Sequence, residues 1–278
     1  MGSALADALV RGGARVVATL DGRSERTARL AATAPLELLP DLAAVVREAA
    51  VVLSVVPPEA APSVAEDVAR AARDQGSVPL LADLNAVSPA TARELADTGL
   101  EVVDGSISGP PPAKGRTTRV YLSGPRAAEV AALPFEGVDL VVVGDDVGTA
   151  SAVKMSTASV YKGTSALLLQ ALRAAHANGV LEHVLADLRA AAPHLVSNLE
   201  RRLAVAASKS GRYAGEMREI AATQSAAGLT PALFEAMAEV YEELSGRPLA
   251  RENPEDVSAG LSLEKLLDGL GDQSPSRA

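Results

Sequence analysis

Six short runs of apolar, mostly β-branched residues alternate with helical patterns over the first half of this chain. The runs lack the polar–apolar alternation of a half-exposed strand, so each is expected to be buried on both faces. Strands of this kind, separated by helices, predict a parallel sheet covered on both sides and hence an α/β fold. The predicted strands are Arg15–Leu20, Val51–Val56, Val78–Leu84, Glu101–Asp104, Arg119–Leu122 and Leu140–Val143, with a weaker one at Leu36–Leu39.

The pattern changes after the last of these strands. The segment Asp145–Asn178 contains no proline and is rich in small and apolar residues. It therefore predicts one helix of about thirty residues, roughly 45 Å long. All later elements are predicted to be helical, at Leu181–Ala191, Pro193–Lys209, Arg212–Ala227, Pro231–Gly246 and Leu261–Leu270. The expected organisation is an α/β domain over residues 1–144, an all-α domain over 145–247, and a partly disordered tail over 248–278.

The first residues resemble the second half of a glycine-rich turn that leads into a helix. Gly2 and Ser3 open an amphipathic stretch, and a strand and a polar turn follow. A dinucleotide-binding βαβ unit has this order, but it also needs a preceding strand and two earlier glycines. We therefore expect the sequence to begin inside such a unit. The alternative is an ordinary N-terminal helix with Gly2 present by chance.

Composition narrows the classes of function. The 278 residues carry a net charge of −9, which disfavours non-specific binding to nucleic acid. The chain has no cysteine, so disulfide and thiolate chemistry are excluded and a reducing cytoplasm is the expected compartment. No apolar run reaches the ~18–20 residues of a membrane span, and no His or carboxylate spacing suggests a metal site. We expect a protein that binds neither membrane nor nucleic acid.

The turn Gly22–Arg26 follows the second strand of the predicted nucleotide-binding unit. A protein specific for NAD offers a carboxylate to the ribose at this place. Here Arg23 and Ser24 present guanidinium and hydroxyl groups that suit a 2′-phosphate, which favours NADP over NAD. Asp21 lies close by, and a solvated turn with paired charges is the competing interpretation.

Further candidate loops follow other strands, because ligands of open α/β sheets bind beyond the carboxyl ends of the strands. Val56 and Pro57 end one buried strand and are candidates for a wall of the cofactor pocket. Asn85 brings an amide donor and acceptor to the end of the next strand. Ser88, before a proline, is predicted to cap the following helix.

The loop Asp104–Lys114 combines small residues, hydroxyls and prolines. Such a loop can hold a small carboxylate or carbonyl substrate, although a structural proline-rich turn is an equal alternative. Lys154 lies near the start of the long helix, on a face of small and apolar residues. Partial burial would lower its pKa below the ordinary ~10.4 and suit it to proton exchange with a substrate. A solvated helix lysine is the alternative.

Together these motifs resemble, in order and spacing, the β-hydroxyacid dehydrogenase family, which is related to 6-phosphogluconate dehydrogenase and to the imine reductases. Two later stretches are similar to a less characterised branch whose C-terminal helical domain has no assigned activity. The resemblance covers nearly the whole chain. The motifs are Gly2-Ser3, Gly22-Arg23-Ser24, Val55-Val56-Pro57, Asp83-Leu84-Asn85 with Ser88-Pro89, Asp104 to Gly109, Gly148 to Lys154, Lys162 to Leu167 and Gly215 to Ala221.

The resemblance implies a Rossmann domain, a helical domain, and a homodimer formed through the long helix. By motif, Lys154 would be the proton-transfer residue and Ser108 and Gly109 the substrate contacts. Asn85 would approach the nicotinamide ribose, and Arg23 and Ser24 the 2′-phosphate. Other binding candidates are Gly2, Val56 and Pro57.

The sequence also departs from the family pattern. The family's asparagine shortly after the lysine is replaced by Thr157 or Ala158, and its second-domain lysine–aspartate pair reads Glu216-Met217. Both changes put a simple β-hydroxyacid substrate in doubt. Imine reductases carry an acid or tyrosine where Lys154 stands, which makes that activity the weaker alternative.

Two classes of function follow. The first is an NADP-dependent oxidoreductase that acts on a CH–OH, carbonyl or C=N group of a small molecule, with Lys154 as acid and base. The second is a non-catalytic dimer that binds a nucleotide weakly or not at all. The lysine and Ser108 favour the enzyme.

Overall fold

The computed structural model describes residues 1–113, 117–251 and 262–270 of the chain. The chain divides into two units, Met1–Ser156 and Thr157–Ala278. The division falls inside a long helix that begins at Thr149, so the first turns of this helix belong to the first unit. The boundary expected from the sequence, at residues 144 and 145, lies just before the helix starts.

The described residues contain seven strands in two sheets. β1 and β2 form a parallel pair, and β3 to β7 form a five-stranded sheet in sequence order. Neighbouring strands of the larger sheet are parallel except β5 and β6. The strands are β1 Val17–Thr19, β2 Glu37–Leu39, β3 Val51–Ser54, β4 Leu80–Asp83, β5 Val102–Ser108, β6 Thr118–Ser123 and β7 Val138–Gly144.

The predicted parallel sheet is confirmed, with the exception that β5 and β6 pair antiparallel. β5 is also longer than expected, since it continues to Ser108, which pairs with Arg119. Only residues 109–117 connect the two strands. Such a connection is shorter than the dozen or more residues of a parallel crossover, so the chain returns beside β5 in the opposite direction.

Helices cover both faces of the larger sheet. One face packs Leu80, Val103 and Leu122 against Leu5 of the first helix, while the other packs Leu81 and neighbours against the third, fourth and fifth helices. Adjacent strand residues thus enter different cores, which explains the continuous apolar runs. The helices of the first unit are α1 Gly2–Arg11, α2 Glu25–Ala31, α3 Leu42–Glu48, α4 Ala61–Gln75, α5 Pro89–Ala96 and α6 Ala127–Ala131, with a 3-10 turn at Pro58–Ala60 before α4.

The two sheets that the structure describes are not joined by hydrogen bonds between β1 and β3. No described strand joins these two, and β1 pairs with β2 alone. α1 starts at Gly2, and Met1 packs against the same core cluster as Leu53 of β3. The expectation that a strand precedes Met1 stays a prediction.

The second half is helical, as predicted, with one difference. The helix expected over Pro193–Lys209 is two helices, because Asn198 adopts a left-handed conformation (φ 50°) between them. Asparagine is one of the few side chains that tolerates this conformation. The helices are α7 Thr149–Ala177, α8 Leu181–Ala191, α9 Pro193–Val196, α10 Leu199–Ser208, α11 Ser210–Ala226, α12 Ala232–Ser245 and α13 Leu263–Leu270, with a 3-10 turn at Pro248–Arg251.

Part of the predicted tail is structured. The 3-10 turn and α13 both lie in it, and α13 buries its leucines. Residues 252–261 and 271–278, to which the expectation of disorder also applied, lie outside the described residues. In the ranges that the structure describes, no helix has both the length and the apolar character needed to cross a membrane.

Candidate functional site

Polar residues form a row across four neighbouring strands of the larger sheet. Ser54 of β3 pairs with Asp83 of β4, Asp83 with Asp104 of β5, and Asp104 with Ser123 of β6. All four side chains are buried. The row marks the end of β3 and β4, beyond which β5 continues towards Ser108, paired with β6.

Asn85 links two of the loops that were predicted to bind cofactor. Its Nδ2 donates to Ser54 Oγ at 2.8 Å and to a carboxylate oxygen of Asp83. Its Oδ1 accepts a hydrogen bond from the backbone N–H of Val56 at 2.6 Å. Both ends of the buried Asn85 amide are thus engaged within the protein, and they fix the backbone at the end of β3 where Pro57 follows.

Burial dominates the electrostatics of Asp83. Loss of solvent raises the pKa of Asp83 to about 6, although hydrogen bonds from Ser54 and Asn85 oppose the shift. The nearby charge of Asp104 adds to the increase. The group therefore titrates close to neutral pH.

Asp104 holds the start of α7. Within the described residues its carboxylate accepts four hydrogen bonds, from the backbone N–H of Gly148 and Ser151 and from the hydroxyls of Ser151 and Ser123. Gly148 has φ of 103°, and a Cβ there would lie 2.9 Å from the carbonyl oxygen of Pro89. Glycine is therefore required where the chain enters α7.

Lys154 lies on α7, one turn after Ser151 and within the first unit. Its Nζ donates a hydrogen bond to the carbonyl oxygen of Ile107 at 2.7 Å. The Lys154 amine is thus bound to the backbone of the residue that precedes Ser108. The assignment of Lys154, Ser108 and Gly109 to a substrate site stays a prediction. Gly109 has φ of 108°, so the backbone can turn away from β5 directly after Ser108. Lys114, at the far end of this loop, lies outside the described residues.

The predicted 2′-phosphate turn follows β1. Gly22 has φ of 66°, and Arg23, Ser24 and Arg26 are exposed. Ser24 is the N-cap of α2, because its Oγ accepts the backbone N–H of Thr27. The Ser24 hydroxyl therefore has a structural role, in the way that Ser88 caps α5 by accepting the N–H of Thr91.

Gly2 begins α1, and a Cβ at this position would meet nothing within 4 Å. The described structure therefore gives no internal packing reason for glycine there. Open space at a helix N-terminus is compatible with a phosphate ligand. Its assignment to cofactor binding, like those of the other site residues, stays a prediction.

The second unit contains a charged cluster around the buried Glu216 that the sequence did not reveal. Lys162 of α7 forms an ion pair with buried Glu216 of α11, and Arg212 Nε lies 3.0 Å from the other carboxylate oxygen. The Lys162 ammonium also lies 4.7 Å from the centroid of the Tyr213 ring, and Tyr241 donates to the Lys162 carbonyl oxygen at 2.7 Å. The spacing of Arg212 and Glu216 by four residues was the available signal. In this part of the chain, as in the first unit, the described residues contain no group of three His, Cys, Asp or Glu side chains that could hold a metal.

Comparisons with known proteins identify both parts. Residues 1–82 match the family described as NADP oxidoreductase, coenzyme F420-dependent, and residues 175–244 match a domain of unknown function, DUF1932. The conserved protein MTH1747, of unknown function and described as structurally similar to 3-hydroxyacid dehydrogenases, is 30% identical in sequence. That match covers 87% of this chain and 92% of MTH1747, with a TM-score of 0.64. The chain therefore belongs to the same family as MTH1747, whose structure is similar to those of 3-hydroxyacid dehydrogenases.

Two further relatives are informative. An uncharacterised 28.5 kDa protein of Methanothermus fervidus is 29% identical over 166 residues, and the match spans 63% of that protein and 59% of this chain. The 3-hydroxyisobutyrate dehydrogenase of Mycobacterium tuberculosis, solved with L-serine, shares the fold at 20% identity and a TM-score of 0.62. That match covers 92% of this chain and 94% of the dehydrogenase.

The titration of Asp83 gives a testable prediction. The folded protein binds the Asp83 proton more tightly than the unfolded chain, whose pKa is near the ordinary 3.8. The stabilisation is therefore present below pH ~4 and is lost as the pH rises through about 6. It amounts to roughly 2–3 kcal/mol at ~1.36 kcal/mol per pKa unit.

Urea unfolding of the wild type and of Asp83→Asn at pH 4 and pH 7.5 measures this contribution. Other groups titrate alike in both proteins. From pH 4 to pH 7.5 the free energy of unfolding of the wild type should therefore fall by roughly 2–3 kcal/mol more than that of the variant. Equal pH dependence in the two proteins would contradict the raised pKa.

Proposed function

We propose that this protein is an NADP-dependent oxidoreductase that moves a hydride between nicotinamide and a hydroxyl or carbonyl group of a small, hydroxyacid-like molecule. The observation that carries the proposal is the hydrogen bond from Lys154 Nζ to Ile107 O, beside Ser108 and Gly109. In this proposal it would hold a proton-transfer group next to small residues, in a chain whose first 82 residues match an NADP oxidoreductase family. The cysteine-free composition supports the expectation that it works in the cytoplasm.

Lys154 would be the acid and base of the reaction. When bound, the nicotinamide supplies or accepts the hydride. The ammonium of Lys154 would give its proton to the substrate oxygen during carbonyl reduction, and the neutral amine would remove the hydroxyl proton during oxidation. The Ser108 hydroxyl and the Gly109 N–H would orient the same oxygen. Ile107 O holds the amine at this place before substrate arrives.

The cofactor would lie along the carboxyl ends of the strands. Arg23 and Ser24, after β1, would bind the 2′-phosphate through charge-assisted hydrogen bonds. Val56 and Pro57 would form a wall of the nicotinamide side. Because the Asn85 side chain is engaged with Asp83, Ser54 and Val56, Asn85 would act on the ribose by shaping this loop. The open start of α1 at Gly2 would face phosphate.

The identity of residue 154 bears on which functional group of the substrate would react. A lysine at position 154, in place of the acid or tyrosine of imine reductases, favours a CH–OH or carbonyl group over an imine. The mycobacterial relative was solved with L-serine and is a 3-hydroxyisobutyrate dehydrogenase. L-serine and 3-hydroxyisobutyrate, with other short 3-hydroxyacids, are therefore the first substrates to test. A nucleotide-binding protein without turnover on any of them would support the non-catalytic alternative.

Lys154→Ala tests the catalytic role. Turnover with a 3-hydroxyacid, followed by NADPH absorbance, should fall by about 10²–10⁴-fold because the proton-transfer group is lost. The dissociation constant for NADPH should change little. Lys154→Arg, which keeps the charge but not the proton transfer, should be nearly as slow. Wild-type turnover in either variant would remove Lys154 from the mechanism.

Arg23→Ala tests the choice of NADP. Loss of a charge-assisted contact of about 1.5–3 kcal/mol should weaken NADPH binding by roughly 10–100-fold, while NADH binding stays nearly constant. Arg29→Ala, which removes the same charge from an exposed position one turn along α2, is the control. Equal weakening of both nucleotides by Arg23→Ala would argue against a 2′-phosphate site.

We also propose that the chain forms a homodimer through α7. Val160, Thr164, Leu167, Ala171 and Ala174 follow one another at steps of four and three residues and form one stripe, here named the α7 stripe. Val160 and Leu167 are 64% and 61% exposed, although most other large apolar side chains of α7 are buried. A second copy of the same helix fits this spacing, since a two-fold contact pairs like with like.

Leu167→Glu tests this contact. A charge in the middle of the α7 stripe should convert the dimer into a monomer in light scattering at micromolar concentration. Gln170→Glu adds the same charge to an exposed position of α7 outside the stripe and should leave the dimer intact. A monomeric wild type, or a dimeric Leu167→Glu protein, would contradict the proposal.

A further inference from the structure

We propose that Asp104 is a positioning residue whose buried carboxylate fixes the first turn of α7 and thereby holds the Lys154 amine at the end of β5. The inference rests on the proposed function of Lys154. It adds Asp104, whose carboxylate binds Ser123 and the start of α7 and would act on Lys154 through this helix.

The carboxylate is fully buried, and an ionised group in such a place is costly unless donors surround it. The donors come from the start of α7. The N–H groups of Gly148 and Ser151 lie 3.0 Å and 2.9 Å from Asp104 Oδ2, and the Ser151 hydroxyl lies 2.6 Å from Oδ1. First-turn amides of a helix have no partner within the helix, and the positive end of its dipole favours an anion. Asp104 and the start of α7 therefore stabilise each other in one arrangement.

Neighbouring serines reinforce the same turn. Ser123 Oγ donates to Asp104 Oδ2 and accepts the N–H of Ala150, both at 3.0 Å. Ser106 Oγ, two residues along β5, donates to the carbonyl oxygen of Ala150 at 2.9 Å. Hydrogen bonds from two strands thus define where α7 begins.

The Lys154 amine is held at the other end of this arrangement. Lys154 lies about 4.5 Å beyond Ser151 along α7, and Ile107 lies about 10 Å beyond Asp104 along β5. The long side chain of Lys154 spans the remaining distance, and its Nζ donates a hydrogen bond to Ile107 O at 2.7 Å. A shift of the first turn would therefore move the amine, and a misplacement of about 1 Å can cost ~10²-fold in rate.

The test is Asp104→Asn, which keeps the shape and removes the charge. Amide hydrogen exchange over residues 148–152 should accelerate by at least about 10-fold, and acylation of Lys154 by a small reagent should become several-fold faster. With a turned-over substrate, kcat should fall by roughly 10–100-fold while KM and NADPH affinity change less than ~3-fold. Val68→Ala, a buried truncation on α4 in the core cluster that does not contain Ile107, destabilises the first unit elsewhere and should leave these local measurements unchanged.

A folded Asp104→Asn protein with unchanged exchange and unchanged Lys154 acylation would overturn the proposal. If that variant does not fold, Ser151→Ala removes only the hydroxyl contact and should shift both measurements in the same direction by a smaller factor. No shift in Ser151→Ala would then overturn it. Exchange and acylation need no turnover, so failure of the proposed function, seen as wild-type rates in Lys154→Ala, is distinguishable from failure of this inference.

Discussion

The organisation of the first unit depends on one buried charge meeting the start of a helix. α7 is 29 residues long, and its first-turn amides need partners that the helix cannot supply. Asp104 of β5 accepts the N–H of Ser151 and that of Gly148 just before the helix, and Ser123 of β6 accepts the N–H of Ala150. Asp104 and Ser123 belong to the row of polar residues that pair across adjacent strands. The long helix is thus tied to the part of the sheet where ligands are expected. Lys154 follows one turn later, close to Ser108.

A second group of hydrogen bonds orders the neighbouring strand ends. Asn85 connects Ser54, Asp83 and the backbone of Val56, so the loops after β3 and β4 form one structure. Packing supports this connection, because Val56 and Val147 both contact the small cluster of Ala61, Val87 and Ala92. Val56, predicted to line the nicotinamide pocket, and Val147, which precedes α7, therefore pack on the same cluster. Shared packing of this kind helps to place reacting groups accurately.

Patterns with a local cause could be predicted from the sequence. The apolar runs identified every strand of the larger sheet, because burial on both faces removes polar residues from a strand. Strand direction has no such signature, so the reversal between β5 and β6 was missed. The proline-rich connection with no helical pattern was the available signal. The break at Asn198 lacked glycine or proline, and only asparagine's tolerance of a positive φ marked it.

Contacts between distant residues could not be predicted in the same way. Ser151 is 47 positions beyond Asp104, and Lys162 and Glu216 lie on different helices. The motif Gly148 to Lys154 predicts a role for Lys154, whereas the sequence marks Asp104 only as the start of a loop. Which buried polar side chains meet is decided by the packing of whole elements, and single-sequence patterns do not contain that information.

The division between β1 and β3 has a consequence for how a nucleotide would be held. β1 and β2 pair over three residues each and pack against α3, so few backbone hydrogen bonds hold them together. We expect this pair, and the arginine turn that follows it, to open more readily than the five-stranded sheet. A nucleotide that binds there would have to order the β1–β2 pair and the arginine turn. Part of its binding free energy would be used for this ordering, so its measured affinity would understate the strength of its contacts.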